Sequence, residues 1–288
     1  MTQGDIQNYY RDHWKSVGDA RAEGNETAMA YSSPVEDAVI YPVYERLIAD
    51  LGLRADGHIL DVGSGSGRWA RFFLDRYAPA SLTGVDFAEA SATLLNDWAG
   101  GLVSSAAVAF HAADITSPGV EIPRPEGAGD GFDLINIGNV LFHIPEPEKF
   151  EQALVNTARL LAPGGRAVTT EYMPRASMRT NWMAVRSRYE FEAACGRAGL
   201  EIADVRACSF FSNDPMGIDG LDDGTRLRFN TVRQLSKQLV DAMGNEQSKR
   251  FAVMMLAEIE HACLRYCAER VPAVDMPAQK LVVLRKKG

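Results

Sequence analysis

Ile59-Leu60-Asp61-Val62-Gly63-Ser64-Gly65-Ser66-Gly67-Arg68-Trp69 is the stretch from which the architecture of this chain can be read. An apolar run ends in an acid, glycine follows at three alternate positions, and the next residues open a helix. Glycine carries no Cβ, so the chain can turn sharply between strand and helix and bring backbone N–H groups close to a ligand. Glycine-rich turns of this kind serve nucleotide and dinucleotide folds alike. The dinucleotide fingerprint G-x-G-x-x-G would put glycine where this chain has Arg68, and the observed pattern is G-x-G-x-G.

The spacing downstream narrows the choice. Leu82-Thr83-Gly84-Val85-Asp86 is a second apolar run ending in an acid, about 20 residues after the glycines, where a ribose-binding carboxylate belongs in such folds. Phe110-His111-Ala112-Ala113-Asp114-Ile115 ends a third run in an acid, and Phe132-Asp133-Leu134-Ile135-Asn136-Ile137 is a fourth strand signal. The spacing predicts strands near 58–62, 82–86, 107–111 and 132–137, with helices near 67–77 and 88–99 between them. An amphipathic helix is predicted from Phe150 to Leu161, ended by Gly164-Gly165, then a strand at 167–170. Residues 181–197 read as a helix and 201–211 as a sixth strand. Helical periodicity resumes near 229–243 and 246–269, and a last strand is expected at 279–284. This alternation predicts an α/β fold with a doubly wound, mainly parallel sheet.

The four acid-ended or apolar segments, with Ala158-Arg159-Leu160-Leu161-Ala162-Pro163-Gly164-Gly165-Arg166 as a fifth element, resemble the class I S-adenosylmethionine-dependent methyltransferases over about residues 55–210. The resemblance implies a Rossmann-like seven-stranded sheet and S-adenosylmethionine as cofactor, with S-adenosylhomocysteine as its product. Carried over residue by residue, it implies that Gly63, Gly65 and Gly67 run under the methionine and ribose. Asp61 would position the cofactor's amino group or the turn. Asp86, with Phe87 beside it, would take the ribose hydroxyls, an ionised carboxylate being able to accept two donors at once. The alternative for Asp86 is a helix N-cap. Asp114 would accept from the adenine amino group and the Ile115 N–H would meet a ring nitrogen, the alternative being an Asp that closes a turn before Pro118. Ile137 and Gly138 would face the methionine end through their backbone.

His143 falls where this family brings substrate and cofactor together. Imidazole titrates near working pH, so His143 is the candidate general base, with a structural role as the other reading. Tyr9, Tyr10, His13 and Trp14 cluster in the first helical stretch. Relatives close such a helix over the cofactor, which makes Tyr10 a candidate cofactor contact; the alternative is the core face of a docked helix. Arg68 reads as a surface helix arginine, with the cofactor carboxylate as its alternative partner. Tyr172 and Met173 are candidate pocket walls.

The chain has 288 residues, an apolar fraction of 46% and a net charge of −8. Such acidity argues against broad binding to nucleic acid or anionic membranes. An 18-residue apolar run is missing, and Met-Thr-Gln-Gly-Asp lacks the pattern of a signal peptide. Cys195, Cys208, Cys263 and Cys267 do not form a disulfide framework in a chain of this length, so a reducing, cytoplasmic setting is expected. Cys263, Cys267 and His261 share one helix without zinc-ligand spacing, and no metal is expected. The acidic stretch with Asp214, Asp219, Asp222 and Asp223 lacks a calcium-loop pattern.

These readings divide the chain into an N-terminal helical cap segment (1–54), a cofactor-binding core (55–211), a helical insertion (212–275) and a final core strand (276–288). The insertion is expected to pack with the N-terminal helices over the substrate side, or else to form a homodimer contact. The expected function is methyl transfer to a small-molecule acceptor through a hydroxyl oxygen. The alternatives are N- or C-methylation of a small metabolite, or a non-catalytic S-adenosylmethionine-binding partner or sensor.

Overall fold

Helices α1 (Gln3–Ala22) and α2 (Pro34–Leu51) precede the first strand. The computed structural model describes residues 3–22, 34–101, 106–179, 183–211 and 223–288. The core then alternates: β1 (His58–Val62), α3 (Arg68–Tyr77), β2 (Ser81–Asp86), α4 (Glu89–Gly100), β3 (Ala107–Ala112) and β4 (Phe132–Ile137). It continues through α5 (Pro147–Leu160), β5 (Leu161–Glu171), a short hairpin of β6 (Met178–Arg179) and β7 (Ala184–Val185), α6 (Arg188–Arg197) and β8 (Leu200–Ser209). Helices α7 (Asp223–Asp241) and α8 (Glu246–Ala268) then lead to the last strand, β9 (Gln279–Lys286).

The main sheet has seven strands in the order β3-β2-β1-β4-β5-β9-β8, parallel up to β5 and antiparallel around β9. The strand order reverses between β1 and its neighbours, which opens a crevice at the carboxyl ends of β1, β2 and β4. Side chains alternate across the sheet into two cores. Ile59, Leu82, Leu281 and Val283 face one cluster with Tyr44, Phe72 and Phe73. Leu60, Val62, Val85, Val282 and Leu284 face the other with Phe150, Leu154 and Phe191. Burial on both faces explains the unbroken apolar pairs and runs at Ile59-Leu60 and Leu281-Val282-Val283-Leu284.

Two elements differ from the sequence expectation. The helix expected at 181–197 starts at Arg188, because the Ser187 hydroxyl caps it by accepting from the Glu190 N–H at 3.2 Å. Met178–Arg179 and Ala184–Val185 pair as antiparallel strands instead. The fifth strand starts at Leu161, and Gly164, at φ +78°, sits inside its irregular first half, where the register with β4 shifts.

Helix α8 lies against α2, burying Val35 and Val39 with Ala252 and Ala257. His261 Nε2 lies 2.9 Å from the Val39 carbonyl oxygen. Glu260 is buried and accepts from the Phe211 N–H at 2.8 Å, which ties α8 to the end of β8. Asp214, Asp219 and Asp222 of the acidic stretch lie outside the described residues.

Candidate active site

The glycine turn takes the backbone where only glycine goes easily. Gly63 and Gly65 have φ of +70° and +51°. The Gly63 N–H and Ser64 N–H both donate to the Val85 carbonyl, at 2.7 and 3.0 Å, so the turn is stitched to the end of β2. Gly67, at φ +79°, opens α3; a Cβ there would come within 2.7 Å of Leu95 on α4. Its lack of a side chain serves helix packing.

Around this turn lies a cavity of about 440 Å³, a size typical of small-molecule sites. Gly63, Gly65, Asp86, Phe87, Asp114, Ile115, Tyr10 and His143 all line it. Asp61, Gly67 and Ile137 stand behind its wall. Ile137 points into the sheet core, and its neighbour Gly138 reaches the cavity. Tyr172 lines the cavity, whereas Met173 belongs to the core. Among the described residues, no lining side chain comes from α7 or α8.

Asp86 ends β2 with its carboxylate almost fully buried. It accepts from the Gly65 N–H at 3.0 Å and the Ala88 N–H at 2.9 Å. Burial raises its pKa to about 6, against those two hydrogen bonds. Asp61 lies deeper. Asn136 Nδ2 donates to one of its carboxylate oxygens at 2.7 Å, and Tyr44 donates its hydroxyl to Asn136 Oδ1 at 3.1 Å. The other Asp61 oxygen is buried with no hydrogen bond, and burial pushes the group up to about 7.

Asp114 closes a turn and also meets the N-terminal helix. Its Oδ1 accepts from the Thr116 N–H at 2.9 Å and the Thr116 hydroxyl at 2.7 Å. Its Oδ2 accepts from Gln7 Nε2 at 2.7 Å. Gln7, Tyr10 and Trp14 are spaced along one face of α1, and that face lies over the site. The Tyr10 ring meets Phe87 edge-on at 6.4 Å between centroids, and Trp14 lies against Gly65.

The far end of the cavity is built by the single turn Leu141–His143 after β4. His143 Nε2 lies 3.5 Å from the Tyr10 hydroxyl, a long contact of the sort that tightens when substrate arrives. Phe142, Tyr172 and Met183 supply the walls here. Arg68 departs from its sequence reading: it is mostly buried and pairs with Glu36 at 3.0 Å and Asp37 at 2.6 Å on α2. Gln7, Tyr44, Thr116, Phe142, Met183 and Arg186 had no sequence signal of their own. Only Gln7 offered a hint, standing one helical turn before Tyr10.

A family model described as a methyltransferase domain matches residues 59–165, the span from β1 into β5 that builds this site. The cavity therefore lies largely in the part of the chain that is similar to methyltransferase domains. A demethylmenaquinone methyltransferase of Thermus thermophilus is 33% identical over 132 residues, covering 46% of this chain. The chain spans about half of that curated relative, 54% of its length. Among solved structures, an S-adenosylmethionine-dependent methyltransferase of Leishmania major superposes with a TM-score of 0.53 at 15% identity, over 70% of this chain and 76% of its own. The CcbJ methyltransferase of Streptomyces caelestis gives 0.51 at 12% identity, over 90% and 94%. Both likenesses concern the fold.

The residues of this cavity fit S-adenosylmethionine, the cofactor that the family resemblance implies. Asp86 and Asp114 both line the cavity, at the ends of adjacent strands. A carboxylate has about four acceptor sites, so neither is saturated by its protein partners. The turn beside them brings glycine backbone to the same cavity. Among the described residues no helix is long and apolar enough to cross a membrane.

Proposed function

We propose that this chain transfers a methyl group from S-adenosylmethionine to a hydroxyl oxygen of a small, flat, apolar acceptor. The observation that carries this reading is His143 beside the Tyr10 hydroxyl in a wall of Phe142, Tyr172 and Met183. The acids that line the cavity, Glu36, Asp86 and Asp114, are spoken for by Arg68 or lie by the glycine turn and the end of β3. The lining side chains packed around Phe142 and His143, namely Tyr10, Tyr172 and Met183, are aromatic or apolar.

Asp86 and Asp114 hold the ribose hydroxyls and the adenine amino group by accepting hydrogen bonds from them. The Ile115 backbone faces the adenine ring. The bound cofactor supplies an electrophilic methyl on a sulfonium sulfur. His143 takes the acceptor's hydroxyl proton on Nε2, and Tyr10, carried by α1, closes the polar end of the site. The aromatic wall orients the acceptor and excludes water, and orientation alone is worth several kcal/mol in a displacement of this kind.

The test supplies the purified protein with methyl-labelled S-adenosylmethionine and a panel of phenols, carboxylic acids and amines. Label should pass to phenols, and His143→Gln should cut the rate by about 100-fold or more with S-adenosylhomocysteine affinity unchanged. Transfer to amines alone, indifferent to His143, would overturn the oxygen assignment. Tight cofactor binding without transfer to any acceptor would favour a binding or sensor protein. A second reading is C-methylation of a ring, favoured by the likeness to a demethylmenaquinone methyltransferase and by the apolar walls. Product NMR separates a new C–CH3 from an O–CH3.

A further inference from the structure

Arg186 is a buried cation outside the cavity, and it reaches the back of the turn that carries His143. Its Nη2 donates to the Ile144 carbonyl at 2.6 Å, and its Nη1 to the carbonyls of Leu141 at 3.4 Å and Ala184 at 3.2 Å. The guanidinium lies over the Phe150 ring, 3.5 Å from its centroid. The turn is only three residues long, so its carbonyls have few partners of its own making. Leu141 and Ile144 bracket Phe142 and His143, and one planar fork therefore holds the backbone on both sides of them. With the carbonyls fixed behind, Phe142 and His143 face the cavity. The neighbouring strand of the hairpin adds a second tether, Arg179 Nη1 to the Pro145 carbonyl at 2.7 Å.

Burying a guanidinium costs free energy, and the Glu190 carboxylate, 3.8 Å from Arg186 Nε, offsets part of that cost. What the guanidinium adds is geometry: several donors in one rigid plane, which a lysine ammonium cannot match. Resting on the reading of His143 as the base, we propose that Arg186 is the positioning residue of the acceptor end, setting the orientation of the His143 ring and the Phe142 wall.

The test compares Arg186→Lys and Arg186→Ala with the unaltered protein. The first readout is the His143 ring ¹⁵N and ¹H NMR signals, assigned by their loss in His143→Gln. Both variants should shift or broaden those signals and hold S-adenosylhomocysteine within about twofold of wild type, the cofactor end being untouched. Millimolar guanidinium should move the Arg186→Ala signals back toward wild type. Turnover should fall about ten- to a hundredfold, as for a small misplacement of a catalytic group. His143 signals that coincide with wild type in either folded variant would overturn the proposal. In the unaltered protein, the Arg186 side-chain N–H protons should exchange slowly and show through-space contacts to residues 141–144. Fast exchange without such contacts overturns the proposal even where no variant folds. A wild-type protein that methylates nothing would sink the functional reading and leave the ring-signal comparison intact.

Discussion

Gln7 and Asp114, 107 residues apart in sequence, are joined by a 2.7 Å hydrogen bond from the Gln7 amide nitrogen to the Asp114 carboxylate. The same carboxylate that the family resemblance assigns to adenine therefore also anchors the first helix. Its Oδ1 already takes two donors from Thr116, so on that assignment the adenine amino group would share Oδ2 with Gln7.

Gln7→Ala should therefore loosen α1. A hydrogen bond to a charged group contributes about 1.5–3 kcal/mol, and partial exposure of this one places it at the low end or below. Amide hydrogen exchange along α1 should speed up severalfold, while exchange in α4 and β3 stays as it was. Identical exchange in the variant and the wild type would show that the contact does not hold the helix.

Asp86 is expected to make cofactor binding pH-dependent. Its pKa in the cofactor-free protein is raised to about 6 by burial, and donors from the ribose would favour the charged form and pull it down. Affinity for S-adenosylhomocysteine should then fall as pH drops through 6, because the site must first lose a proton. Asp86→Ala should weaken binding by about 1.5–3 kcal/mol at pH 7.5 and remove that part of the pH dependence. Titration calorimetry from pH 5 to 8 measures both. Asp61→Asn is the companion variant, since Asp61 titrates near 7 in the same region.

Strand and helix order could be read from the sequence because short apolar runs such as Ile59-Leu60 and Leu134-Ile135 alternate with helical periodicity, and the turns after β1 and β2 carry glycine or an acid. Gly63, Asp86, Asp114 and His143 were legible for the same reason: they follow strands whose ends converge at the point where the strand order reverses. Tyr10 rested on resemblance, and Gln7 gave only the hint of its place one turn before Tyr10, because its partner lies three strands later. Arg68 read as a surface residue because Glu36 and Asp37, which bury and pair with it, sit before the first strand. Strand β7, which pairs with β6, was hidden inside the helical periodicity expected over 181–197, which Ser187 interrupts. Arg179 and Arg186 gave no local sign that they would hold the His143 turn.

Tyr44→Phe tests the polar layer beneath the glycine turn. Tyr44 is fully buried and donates to Asn136 Oδ1, which leaves Asn136 Nδ2 aimed at Asp61. Without the hydroxyl, Asn136 Oδ1 is a buried acceptor lacking that donor, at a cost of about 1–3 kcal/mol. Chemical denaturation should show that loss with an unchanged m-value. A variant as stable as wild type would mean that Asn136 finds another donor or inverts its amide.

Glu171 gives a prediction about stability and pH. It ends β5 fully buried, and burial raises its pKa from the ordinary 4.5 to about 8, although Arg186 and the Thr169 hydroxyl oppose the shift. The folded protein therefore holds this proton more tightly than the unfolded chain. Its contribution to stability is complete below about pH 4, declines as pH rises, and is lost above about 8. Asp61, raised to about 7, and Asp86, raised to about 6, act in the same direction but finish earlier. Above pH 7 the remaining slope therefore belongs mainly to Glu171 among these three. Glu171→Gln keeps the shape and removes the ionisation, so its melting temperature should fall less than that of the wild type between pH 7 and 9. The two proteins should differ most at pH 9, with the variant the more stable. Parallel melting curves across that range would show that Glu171 ionises without cost in the folded protein, its charge met by Arg186.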